Sequence, residues 1–133
     1  MSDKKVKLDI DTACVHHVDQ KKEQLKKNKD ALDWRIKNDC PSDQKVLFCV
    51  YDANTGDLVN PPPFDPCISE PPGLKIGTAF TVKRDEKAKL KCTGKVAGKY
   101  KKLVLVGGEV PAGGCPPREP HIETHRLEVE IIP

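Results

Sequence analysis

Two short stretches gather the side chains best suited to do chemistry: Cys14-Val-His16-His17 near the start and Cys115, His121 and His125 near the end. Thiolate and imidazole both ligate zinc and copper, and a structural zinc takes four such ligands in a tetrahedron. Cys115-x5-His121-x3-His125 offers three donors and the first stretch a fourth; all four histidines of the chain lie in these two segments. The spacing fits no standard zinc motif. Surface histidines beside structural cysteines are the competing reading. The metal reading requires the two stretches to meet at one end of the molecule.

Other reactive patterns are weaker. Asp52-Ala-Asn54-Thr-Gly56-Asp57 has the look of a calcium loop, but an EF-hand needs Gly at the sixth position and Glu at the twelfth, where this chain has Asp57 and Pro63. Asn and Gly at those places predict a turn. Gly107-Gly108 and Gly113-Gly114 precede no Gly-Lys-Ser/Thr and no helical pattern, which argues for a loop rather than a phosphate cradle. Cys40 or Cys115 with a histidine would make a nucleophile pair. Neither lies in a thiol-enzyme signature, and Ser2, Ser42 and Ser69 lie in no nucleophile elbow. The expectation is a protein that is not an enzyme and carries no cofactor.

Charge narrows the partners. The net charge is +3, and of 23 basic residues only Arg35, Arg84, Arg118 and Arg126 are arginine. Nucleic-acid sites favour the planar guanidinium fork, so lysines mixed with acids predict a solvated surface and no nucleic-acid partner. No apolar stretch approaches the ~18 residues of a membrane-crossing helix. Met1 to Asp11 alternates charged and apolar residues, which is no signal peptide as written. The expected location is the cytoplasm, or the periplasm or exterior if Met1 replaces a leader. Cys14, Cys40, Cys49, Cys67, Cys92 and Cys115 include no C-x-x-C pair. In a reducing compartment they would be buried thiols, the reading preferred here; an oxidising one would permit complete pairing.

The elements that must position these residues are strands. Val6, Leu8 and Ile10 alternate with charges, as do Leu32, Trp34 and Ile36. Val46 to Tyr51 is continuously apolar, which predicts cover on both faces. Phe80 and Val82, then Ala88, Leu90 and Cys92, flank the turn at Arg84-Asp85 as a hairpin. Tyr100 to Val106 is the strongest apolar strand, and Leu127, Val129 and Ile131 close the pattern. Residues 19–30 hold one apolar side chain, Leu25, and predict a solvated connection with at most a helical turn. Pro61, Pro62, Pro63, Pro66, Pro71 and Pro72 put a long loop outside any central strand. With no repeat and no composition break, residues 1–133 predict a single all-β domain, a Greek-key β-sandwich of about seven strands, cupredoxin-like or immunoglobulin-like.

The order of these motifs resembles the cupredoxin-like fold. Leu32-Asp-Trp34-Arg-Ile36-Lys-Asn38 is similar to that family's apolar strand ending in Asn. The run from Phe80-Thr-Val82 through Ala88-Lys-Leu90-Lys-Cys92 to Gly98-Lys-Tyr100 resembles its later hairpin and the Gly-x-Tyr that opens the next strand. Leu127-Glu-Val129-Glu-Ile131 resembles its closing strand, so the likeness runs over residues 5–132. In copper-carrying members the strand after Gly-x-Tyr ends in a ligand Cys, where this chain has valine. The usual ligand Met has no counterpart, Met1 being the one methionine, and no His lies between Asn38 and Val50. The resemblance therefore implies the fold without the family's copper site.

Rigid sheets display function on loops. The loops around Pro61–Pro72 and Gly107–Pro120 are the expected contact surfaces for a protein partner, with Phe64 and Ile68 as docking side chains. The sequence thus predicts a non-catalytic binding or adaptor module. The alternative is a metal-binding protein using Cys14, His16, His17, Cys115, His121 and His125.

Overall fold

The computed structural model describes residues 3–120 and 126–133. Its strands are β1 (Asp3–Ile10), β2 (His16–Val18), β3 (Lys22–Lys26), β4 (Ala31–Asn38), β5 (Gln44–Asp52), β6 (Ile68–Glu70), β7 (Phe80–Val82), β8 (Lys87–Thr93), β9 (Gly98–Val106) and β10 (Arg126–Ile132), with one 3-10 turn at Gly107–Glu109. They form two five-stranded sheets, β2-β1-β4-β8-β6 and β3-β10-β9-β5-β7. The architecture is an all-β sandwich. From β2 to β9 the chain changes sheet at every step, and this places β1 parallel to β4 and β3 parallel to β10.

Alternation explains the core. Val6, Leu8 and Ile10 meet Leu32, Trp34, Ile36, Leu90 and Cys92 from one sheet, and Phe48, Val50, Val104, Val129 and Ile131 from the other. β5 and β9 are buried on both faces, because Leu47, Cys49, Tyr51, Leu103 and Leu105 form a second apolar cluster on the outer side of their sheet. Leu58, Val110 and Cys115 cover that cluster, so the continuous apolar run of β5 has the double cover its sequence predicts.

The seven expected strands are present, and three short ones join them. β2, β3 and β6 are edge strands. β3 replaces the solvated connection read at residues 19–30. Leu25 points into the core and pairs with Ile131, and this parallel ladder overrides the helical propensity of the lysines and glutamates. β6 lies between Pro66 and Pro71 at a sheet edge, the place where flanking prolines cost no ladder hydrogen bond.

The cysteines differ from expectation. All six are paired, as Cys14–Cys40, Cys49–Cys115 and Cys67–Cys92, with Cα separations of 4.8, 5.7 and 4.4 Å. The buried-thiol reading is corrected because partners far apart in sequence, 66 residues in one case, are brought side by side by the sandwich.

Candidate functional site

The N-terminal histidines sit on β2. Asp11 organises the turn before it: its Oδ1 accepts the N–H groups of Ala13 and Val15 at 2.9 and 3.0 Å. Its Oδ2 lies 3.0 Å from His17 Nε2. The Val15 N–H, then His17, hold the Asp11 carboxyl below its ordinary range. His16 Nε2 lies 3.4 Å from Glu109 Oε1, so β2 and the start of the Gly/Pro loop do meet at one end of the sandwich.

The donor set expected there is not assembled. The sulfur of Cys14 is bonded to Cys40 and that of Cys115 to Cys49, so neither is a thiolate, the form that ligates metal. Among the described residues no group of three or more His, Cys, Asp or Glu is placed to hold an ion. His121 and His125 lie outside the described residues.

Asn38, which ends β4, is structural. Its Nδ2 donates to the carbonyls of Ser42 and Val82 at 3.1 and 2.9 Å, and its Oδ1 accepts the Cys40 N–H at 3.0 Å. The Gly/Pro loop is equally tied down. Beyond the Cys49–Cys115 bridge, Tyr51 Oη donates to the Pro116 carbonyl at 2.9 Å and Leu58 N–H donates to that of Pro117 at 2.9 Å. Burial, with Glu119 nearby, pushes the Tyr51 hydroxyl up to about 12, so it stays a donor. This loop is a cover over sheet residues rather than a freely displayed surface.

The proline loop makes a different surface. Phe64 bridges to Gly94, Asp65 N–H donates to the Thr93 carbonyl at 2.9 Å, and Cys67–Cys92 staples the segment to β8. Phe64 is therefore a core side chain, 7% exposed, and not the docking side chain expected from sequence. Ile68 on edge strand β6 is 74% exposed. Between the proline loop and the turn at residues 94–97 runs a groove of about 550 Å³, whose apolar lining includes Pro61, Pro62, Leu74, Ile76 and Val96, with Phe64 among the walls. Val96 is half exposed, and Asp65 and Lys95 face each other beside the groove at 3.7 Å.

Beneath Phe64 lies a feature that the reading of the sequence passed over. Lys102 is fully buried, with Nζ 4.9 Å from the Phe64 ring centre, 5.2 Å from Phe48 and 5.4 Å from Trp34. Neither Lys102 Nζ nor Trp34 Nε1 has a hydrogen-bond partner among the described residues. Burial pushes the Lys102 amine down to about 7. The signal was its parity: Tyr100, Lys102, Val104 and Val106 share the inward face of β9.

No protein-family model matches the sequence, and no curated protein sequence matches it. Among solved structures, dithionite-reduced auracyanin from the photosynthetic bacterium Roseiflexus castenholzii aligns with 99% of this chain and 97% of its own, at 11% identity and a TM-score of 0.46. A chain from the CsuC–CsuE chaperone–tip adhesion subunit pre-assembly complex of Acinetobacter baumannii Csu pili aligns with 84% of this chain and 49% of its own, at 16% identity and a TM-score of 0.47. The chain thus spans about half the length of the pilus-assembly protein.

Proposed function

We propose that the chain is a non-catalytic binding module that works in an oxidising compartment and holds a protein partner in the groove beside the proline loop. The order of its sequence motifs supports a cupredoxin-like arrangement without the copper ligand set. The observation that carries the binding reading is the groove itself: half-exposed Val96 and partly covered Pro62, Leu74 and Ile76 leave apolar surface to water along one cleft. The prolines stiffen this rim, so docking costs little ordering. An apolar segment of the partner fits the lining, and the short edge of β6 offers backbone groups beside it.

The bridges support the compartment proposed. Three disulfides with no free cysteine persist where the surroundings are oxidising. Alkylation of freshly isolated, unreduced protein should label no cysteine; six labelled thiols would contradict this placement.

The substitution Val96→Asp, in the lining, tests the groove. It should abolish retention of the partner by the immobilised protein while leaving the thermal midpoint within a few degrees of the parent. Retention at the parent level would remove the groove from the account.

A further inference from the structure

The outward face of the sheet containing β1, β4 and β8 carries a lattice of cations. Its register sets Lys7, Arg35 and Lys89 side by side on three neighbouring strands. In the next outward row Lys37 stands between Asp9 on β1 and Lys87 on β8. Like charges facing each other across a ladder destabilise a sheet, and threonine or glutamate at these places would remove the cost. Part of the charge is met locally. Arg35 donates two hydrogen bonds to Asp33, at 3.1 and 2.9 Å, Lys37 lies 3.6 Å from Asp39, and Lys89 lies 3.9 Å from Glu70. Lys7 and Lys87 have no carboxylate within ion-pair distance among the described residues. The five cations line a shallow trough of about 600 Å³, with Asp9 the one acid in its lining.

We propose that this trough binds a linear acidic polysaccharide bearing one carboxylate or sulfate per sugar. Neighbouring strands lie about 4.8 Å apart. The row Lys7, Arg35 and Lys89 and the row Lys37 and Lys87 run across the strands in parallel, so a chain laid between them, its successive acidic groups turned to alternate sides, meets cations on both. Four of the five cations are lysine. Compact ammonium groups suit a run of separate anions, whereas phosphate recognition in nucleic acids favours the guanidinium fork. The choice of a glycan over a nucleic acid also rests on the oxidising compartment proposed above, which thiol alkylation tests separately.

The test uses the purified full chain with its bridges intact. Titration calorimetry at low ionic strength with a polygalacturonate decamer should show binding, and neutral dextran should give none. Lys7→Gln combined with Lys87→Gln should weaken binding about tenfold and flatten its salt dependence. Lys22→Gln combined with Lys45→Gln, which removes equal charge from the other sheet, should change affinity less than about twofold. In the parent protein, polygalacturonate should shift amide resonances of β1, β4 and β8 and leave those of β9 and β10 in place, a readout independent of any variant. No binding by the parent protein, equal loss in both double variants, or tighter binding of polyglutamate, duplex DNA or anionic vesicles would each overturn the proposal.

Discussion

The ammonium nitrogen of Lys102 lies 4.9 Å from the centre of the Phe64 ring, a contact inside the core between a central strand and the proline loop. Trp34 and Phe48 complete three aromatic faces around that nitrogen. Cation–π attraction offsets part of the desolvation cost, by about 2 kcal/mol for a desolvated pair. Removing an ammonium from water costs more than that, so the amine gives up its proton far more readily than an exposed lysine does.

The first prediction follows from that displacement. Below pH about 7 the amine is protonated in both folded and unfolded chains, and the burial penalty is fully present. Between about 7 and the ordinary value of 10.5 the unfolded chain holds a proton that the folded one has released, so stability rises with pH. Above 10.5 both forms are neutral and the penalty is gone. Lys102→Met should therefore be the more stable protein at pH 6, by on the order of a few kcal/mol. Its advantage should shrink steadily toward pH 10. Denaturant titrations of both proteins across this range check it; a difference that does not vary with pH would show that the amine's protonation is not coupled to folding.

A second prediction separates core from surface in the proline loop. Phe64→Ala removes a buried ring and should cost about 3–5 kcal/mol. Ile68→Ala, at an exposed edge position, should change stability by less than about 0.5 kcal/mol. Equal, small effects of the two substitutions on urea midpoints would contradict the burial of Phe64.

A third concerns the cover on the outer sheet face. Cys49–Cys115 closes a span of 66 residues, for which loss of chain constraint costs about 4 kcal/mol. Replacing both cysteines by alanine should lower the thermal midpoint. It should also raise binding of an apolar dye, because Leu47, Leu103 and Leu105 lie beneath the released loop. A lower midpoint with unchanged dye binding would mean that Tyr51 and Leu58 hold the loop without the bridge.

Period-two alternation made β1, β4, β7, β8 and β10 legible, and apolar runs marked β5 and β9, whose outer faces are covered as well. It failed at the other edges. β2 and β6 have three residues each, too few for a period, and β3 carries a single buried side chain. Phe64 was misread and Lys102 passed over for related reasons. A phenylalanine among prolines has the composition of a displayed loop, and Lys102 ends the run Lys99-Tyr-Lys101-Lys102, which has the composition of a solvated face. Both are decided by contacts across the sandwich, Phe64 to Gly94 and Lys102 to three rings. Cysteine pairing was illegible for the same reason: Cys49 and Cys115 are neighbours through the loop that folds back over β5. The groove itself arises from segments about thirty residues apart, Pro61 and Val96 among them, and no local pattern marks it.

The central claim is that a protein partner occupies the groove beside the proline loop. A photo-activated cross-linking residue at position 75, an exposed site in the groove lining, tests it most directly, compared with the same residue at position 45, an exposed site on the other sheet. In the native host, position 75 should yield one discrete adduct that position 45 does not, and Val96→Asp should abolish it. Identical adduct patterns from the two positions, or no adduct from position 75, would contradict the account.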